Sequence, residues 1–190
     1  MLAHENPFAS HRILQVRHML QDVTEAQLFQ RLEALDYRGA IVGPESSGKT
    51  TLLEDLQPPL EAKGYICHFL RLNLEKRCFS HAEMAEIAQN STKDTIFLFD
   101  GAEQLGFWRW KSFRRKSRLA GGLIITSHRP GLLPTLLECR GSLEILQVIL
   151  GRLDPEMPEK LRQRASKLYS LRQGNIREVL RDYYEIYADL

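Results

Sequence analysis

Cysteine is scarce in this chain of 190 residues: Cys67, Cys78 and Cys139 are all it has. The number is odd and no two sit at metal-ligand spacing, so neither a disulfide framework nor a cysteine zinc site is read from them. Cys67 falls in an apolar run and reads as a buried thiol, which points to a reducing compartment. Charge of one sign is also lacking. With 26 Lys and Arg against 24 Asp and Glu, bulk charge gives no argument for nucleic acid, and a basic surface has to come from local clustering. No apolar run approaches the ~20 residues needed to cross a bilayer. The start, Met1-Leu2-Ala3-His4-Glu5-Asn6-Pro7-Phe8, lacks the basic-then-apolar order of a secretory leader. A cytoplasmic protein without membrane attachment is expected. The six histidines form no ligand cluster. His11 and His18 can share a helix face, but they lack carboxylate or cysteine partners, so no zinc site is expected. Internal repeats and low-complexity tracts are not found.

What is there has the pattern of an α/β domain. Residues 9–35 carry apolar positions at spacings of three and four, and Thr24 followed by Gln27 has the form of a capping box. Gly39–Gly43, Tyr65–Leu74, Thr95–Asp100, Leu123–Ser127 and Leu143–Leu150 read as strands. Helical patterns separate them: Thr50–Leu56, Ser80–Gln89 and the 107–119 segment, with Pro58-Pro59 as an interruption. Strands without polar alternation, divided by helices, imply a mostly parallel sheet covered on both faces. From residue 154 onward strand signals cease. Pro155–Tyr169 and Asn175–Tyr187 read as helices parted by Gly174. The expected division is a core at 1–150 and a small helical lid at 151–190.

Gly43-Pro44-Glu45-Ser46-Ser47-Gly48-Lys49-Thr50 matches G-x-x-x-x-G-K-[ST] in full, between an apolar strand and a helix. Such a loop wraps so that successive backbone N–H groups point at phosphate oxygens, and glycine permits the tight turn. The helix that follows presents its positive end to the anion. Lys49 supplies a charge for the β and γ phosphates, and the Thr50 hydroxyl suits Mg²⁺, which takes few protein ligands. The segment from Gly43 through Thr51 is therefore expected to bind ATP or ADP with Mg²⁺.

A second acidic position is expected across the loop. Asp100 ends an apolar strand, where a carboxylate is costly unless it meets a cation or hydrogen-bond donors. It is the candidate for the metal shell, against the alternative that Asp100-Gly101 is an ordinary turn pair. Glu103, or Gln104 by hydrogen bonding, is the candidate to orient an attacking water. The alternative for Glu103 is an acid favoured by a helix N-terminus.

On these residues the chain resembles the AAA+/STAND class of P-loop ATPases, especially the branch related to replication initiators and NACHT-type ATPases, over roughly residues 6–187. The Asn6-Pro7-Phe8 start, the second acidic motif Phe97-Leu98-Phe99-Asp100-Gly101-Ala102-Glu103-Gln104-Leu105, and Gly174-Asn175-Ile176-Arg177 carry the resemblance. It implies the three-layer αβα sandwich of the P-loop NTPases with a helical lid. It also implies roles for Thr126 as a sensor beside the γ-phosphate, for Arg177 as a lid contact to phosphate, and for Arg140 as an arginine finger toward a neighbouring subunit. Many members carry Glu directly after the metal-shell Asp; this chain has Gly101, and its Asp-Gly-x-acid order is closer to the NACHT type. His128 is a further candidate near the γ-phosphate.

The expected activity is Mg²⁺-dependent ATP hydrolysis driving a regulatory or mechanochemical switch, with a protein partner or self-association. A small nucleoside or nucleotide kinase is the alternative. A GTPase would need an Asn/Thr-Lys-x-Asp motif after the acidic strand, and Thr92-Lys93-Asp94 is one residue short and precedes it. A non-catalytic binding module is the fourth reading. Residues 109–118 hold six cations and no acid, interleaved with aromatics. They read as a solvated helix face with Trp108, Phe113 or Leu119 inward, in preference to a nucleic-acid grip.

Overall fold

A computed structural model describes residues 6–9, 23–45, 47–139 and 141–188. The chain divides into two compact units: a sheet unit, Leu20–Gly43 with Lys49–Cys139, and a helical unit, Met1–Met19 with Pro44–Gly48 and Arg140–Leu190. The helix read over residues 9–35 is described only at its end. There α1 (Glu25–Ala34) starts at Thr24, whose side chain accepts from Gln27 N at 3.2 Å while Gln27 Oε1 accepts from Thr24 N at 2.9 Å. His11 and His18 lie outside the described residues.

The sheet unit carries five parallel strands: β1 (Arg38–Val42), β2 (Ile66–Arg71), β3 (Thr95–Asp100), β4 (Gly122–Ser127) and β5 (Thr135–Glu138), in the order β2-β3-β4-β1-β5. Side chains alternate across it. Ile41, Ile96, Leu98 and Ile124 point to one face, where α1, α2 (Lys49–Asp55) and α3 (Gln57–Ala62) supply Leu28, Leu32, Leu53 and Leu60. Val42, Phe97, Phe99 and Ile125 point to the other, against Ile87 of α4 (His81–Gln89) and Trp110 and Phe113 of α5 (Phe107–Lys116). Both faces are dry, which is why β3 and β4 read as unbroken apolar runs. The unit is thus a helix–sheet–helix sandwich, as the sequence pattern implies.

Two elements differ from the reading. Pro58-Pro59 does not break the chain; it sits in the first turn of α3, where a missing N–H costs nothing. Leu143–Leu150 is not a strand. It belongs to α6 (Leu143–Leu153), capped by Ser142, whose hydroxyl accepts from Ile145 N at 3.3 Å. Leu143, Leu146 and Leu150 recur at spacings of three and four, and the last two are fully buried. The run Leu-Glu-Ile-Leu-Gln-Val-Ile-Leu satisfies strand propensity, but its cap and its partners are helical. The last strand is instead the four-residue β5 after Pro134. The division accordingly runs at residue 139, and the expected boundary at 150/151 falls inside α6.

The helical unit packs α6, α7 (Glu159–Leu171) and α8 (Ile176–Ala188) around Leu146, Leu150, Ala165, Val179 and Tyr183. Asn6 and Phe8 belong to it. Phe8 is buried between Tyr183 and Tyr187, with ring centroids at 5.3 and 5.1 Å, and Asn6 Nδ2 donates to Tyr184 O at 2.9 Å. Buried tyrosine hydroxyls find acceptors: Tyr183 on Leu161 O at 2.6 Å and Tyr169 on Gly141 O at 2.7 Å. No helix among the described residues is long and apolar enough to cross a membrane.

Candidate functional site

The strand order brings the carboxyl ends of β1, β4 and β3 side by side. Ile41 and Val42 pair with Thr126 and Ser127, and Phe99 pairs with Ile125, so the ends of the three strands are level. The helices after β1 cover one face of the sheet, and those after β2 and β3 cover the other. Connections that part in this way leave a crevice at the strand ends, the usual ligand position in parallel sheets.

Three side chains meet there. Thr50, on the first turn of α2, has its hydroxyl 3.1 Å from both carboxylate oxygens of Asp100. Thr126, 1% exposed at the tip of β4, donates to Asp100 Oδ1 at 2.6 Å and accepts from Gly101 N at 2.9 Å. Lys49, 7% exposed, donates from Nζ to Gly43 O at 2.9 Å, and Gly43 N donates to Ser127 O at 3.1 Å. The charge of Lys49 reaches Cys139 as well. Burial pushes that thiol up to about 11, and Lys49 opposes the shift. A buried ammonium is tolerated only among oxygen acceptors, and a buried carboxylate only among donors. Lys49, at the start of α2 with its ammonium on the carbonyl after β1, and half-buried Asp100, at the end of β3, are each held in that way.

Gly101 is fixed by geometry. Its φ is +81°, and a Cβ placed on it would lie 2.2 Å from Leu72 O. The chain cannot carry Glu directly after Asp100 in this conformation. The next acid is Glu103, in a 3-10 turn over Ala102–Gln104. Its Oε1 lies 3.6 Å from His128 Nε2, and its Oε2 is buried without a hydrogen-bond partner among the described residues. Gln104 is half-buried beside it.

The loop between Gly43 and Lys49 has Gly48 at φ +85°, a left-handed residue that glycine takes without strain. Within the loop Ser47 N approaches Pro44 O at 3.4 Å, and Ser47 Oγ is buried with no hydrogen-bond partner among the described residues. Pro44 and Glu45 are exposed and Thr51 is half-buried. Ser46 and Arg140 lie outside the described residues. Arg177 is exposed on the first turn of α8 in the helical unit.

One residue of the site escaped the sequence reading. Arg71, the register partner of Asp100 on β2, has Nε 3.3 Å from Asp100 Oδ2 and Nη2 3.1 Å from Glu54 Oε1. Its place at the carboxyl end of a strand was the available signal; an isolated Arg after an apolar run gives no other.

The Thr50 and Asp100 oxygens are of a kind that fits a hard divalent cation. A hydroxyl and a carboxylate face each other within 3.1 Å, oxygen donors of the type Mg²⁺ takes alongside retained waters. Among the described residues no group of three or more His, Cys, Asp or Glu forms a protein cage. The sequence matches no protein-family model and no curated protein.

Proposed function

We propose that this chain is a Mg²⁺-dependent ATPase of the P-loop type, a switch whose nucleotide state is read by a partner. The observation that carries the reading is the Thr50–Asp100 contact at 3.1 Å beside buried Lys49 and directly after a complete G-x-x-x-x-G-K-[ST] loop. A chance Gly/Ser turn has no reason to point its terminal threonine at a strand-end carboxylate, nor to bury its lysine.

The roles follow from chemistry. Backbone N–H groups of the loop from Glu45 to Thr51 receive the phosphates, and Lys49 pairs with the β and γ oxygens. The Thr50 hydroxyl and the Asp100 carboxylate would hold Mg²⁺ between them. When bound, the ion offsets charge on the β and γ phosphates. Thr126 holds Asp100 and the Gly101 backbone in place beside the site. Glu103 orients water through Oε2, and His128 holds the opposite carboxylate oxygen. The roles of Arg177 as a phosphate contact and of Arg140 as a finger toward a neighbouring copy rest on the resemblance alone. In this reading the chain belongs with the AAA+/STAND ATPases.

The test is phosphate release from Mg·ATP over a wide range of protein concentration, beside Asp100→Asn. Turnover without an acceptor, lost in Asp100→Asn, supports the ATPase. Turnover that requires an added nucleoside or nucleotide acceptor replaces it with a kinase. Full activity in Asp100→Asn removes Asp100 from the metal shell.

A further inference from the structure

The helix α5 presents an outward face that the ATPase site does not use. Trp110 (7% exposed) and Phe113 (0%) anchor it in the core, whereas Phe107 is 70% exposed and Trp108 76%. The expected inward placement of Trp108 and Leu119 is therefore corrected: both point out, Leu119 at 62%. Phe107, Lys111 and Arg114 recur at spacings of four and three, as do Trp108, Lys111 and Arg115 at three and four, so these five share one side of the helix. Arg118, just beyond the helix end, prolongs the row. The two aromatic rings sit edge to face, with centroids 5.2 Å apart.

The charge on this face is uncompensated. Residues 109–118 hold six cations and no acid, leaving twenty cations against twenty-four acids in the rest of the chain. Some exposed cations elsewhere find carboxylates, as in Lys63–Glu33, Lys76–Glu83 and Arg172–Asp182, and others such as Lys93 and Arg177 stand singly, whereas six fall together here. Among the described residues no carboxylate pairs with a cation of 109–118. Arg38 adds to the same field. Its guanidinium is held below the usual arginine range by burial and by the Arg114 charge, while Nη2 donates to Ala120 O. Arg114, Arg115 and Lys116 in the last turn suit the helix dipole, but Arg109 and Lys111 near the start oppose it. Like charges at helical spacing destabilise. A solvated face accounts for cations in the last turn, and it does not account for unpaired cations in the first turn beside two exposed rings.

We infer that the outward face of α5 is a docking surface for single-stranded nucleic acid, with Phe107 and Trp108 as a base-stacking platform and Lys111, Arg114, Arg115 and Arg118 as the phosphate track. The row from Phe107 to Arg118 spans about 16 Å at the helical rise, enough for roughly three nucleotides. Bases stack on exposed rings without sequence preference, while cations follow the backbone. A lipid surface is disfavoured because the apolar stripe of α5 is spent on the core through Trp110 and Phe113. An acidic peptide would satisfy the cations but not the rings. The surface goes beyond the nucleotide reading and does not depend on it.

The test is anisotropy of a fluorescein-labelled oligo-dT in the absence of ATP, titrated with salt. Log affinity should fall against log salt with a slope of roughly −2 to −3, as three or four phosphates on a single strand require. Trp108→Ala should weaken binding roughly tenfold and Trp108→Phe much less, because a ring is retained. Arg114→Glu with Arg115→Glu should abolish binding, whereas Lys160→Glu with Lys167→Glu on α7 should not, with melting curves showing that each variant folds. Lys49→Ala should bind oligo-dT as the wild type does, so failure of the nucleotide reading leaves this result intact. Binding of the oligo should also shield Trp108 from acrylamide quenching, a readout that Trp110 cannot give from the core. Equal binding by Trp108→Ala, tighter binding of poly-glutamate, or preference for anionic phosphatidylserine vesicles overturns the inference.

Discussion

Thr126 Oγ1 donates to Asp100 Oδ1 at 2.6 Å and accepts from Gly101 N at 2.9 Å, so one hydroxyl on β4 holds both the carboxylate and the backbone that follows it. The strand order makes this possible. β4 lies between β1, which runs into the Gly43–Thr50 loop, and β3, which ends in Asp100. A polar side chain at the tip of the intervening strand reaches the end of β3 and the turn after it.

Replacing Thr126 with Val keeps the shape and removes the hydroxyl. The Gly101 N–H, buried with Thr126, then has no acceptor, a loss of about 1–3 kcal/mol. Urea denaturation should show that loss, and Thr126→Ser should recover most of it. A Thr126→Val protein as stable as the wild type would mean that the hydroxyl does not hold Gly101.

Gly101→Ala tests why Glu does not follow Asp100. A Cβ at 2.2 Å from a backbone oxygen and a φ of +81° together force the β3–α5 connection to shift. The expected loss exceeds the ~1 kcal/mol that αL strain alone costs, and folded protein should be hard to obtain. Unchanged stability would show that the turn has other conformations open to it.

Phe8 ties the start of the chain to the helical unit. Phe8→Ala removes a fully buried ring from between Tyr183 and Tyr187 and should cost about 3–5 kcal/mol, read as a lower thermal midpoint. Asn6→Ala should cost less, because it gives up hydrogen bonds to Tyr184 O and to Phe8 N without opening a large cavity. Equal midpoints for Phe8→Ala and wild type would remove the contact from the account.

Thiols set an alkaline limit. Burial pushes Cys139 and Cys67 up to about 11. The folded values lie above those of the unfolded chain, near 8.5. Each contribution is complete below the unfolded value and is lost as pH rises through the folded one. Stability should be level from neutral pH to about 8.5 and fall between about 9 and 11. Cys139→Ala should flatten the fall. Both thiols should resist iodoacetamide at neutral pH in the folded state, and rapid modification of Cys139 would contradict its burial.

The sandwich was legible because its interior strands are buried on both faces: Ile96-Phe97-Leu98-Phe99 and Leu123-Ile124-Ile125 serve two cores at once and carry no polar interruption. The capping box at Thr24 was legible for a local reason, since it is closed within four residues. The helix at Leu143–Leu153 was not. Its Leu, Ile and Val positions fit either period, and the arbiter is the cap at Ser142 together with packing against residues far along the chain. In the site, Lys49, Thr50 and Asp100 announce themselves by spacing. Arg71 does not, because register between β2 and β3 alone puts it opposite Asp100. The face of α5 was misread for a similar reason. Helical spacing admits Trp108 or Trp110 as the inward tryptophan, and only the core contact with Phe113, itself packed on Phe99, chooses Trp110.

The most direct measurement is the affinity of Mg·ATP for the wild type and for Lys49→Ala by isothermal titration, with thermal midpoints alongside. The account predicts saturable binding by the wild type and a loss of roughly tenfold to a hundredfold in Lys49→Ala, as the removal of a charge-assisted phosphate contact requires, with the fold retained. Equal affinity in the two proteins, or no binding of Mg·ATP by well-folded wild type, would contradict it.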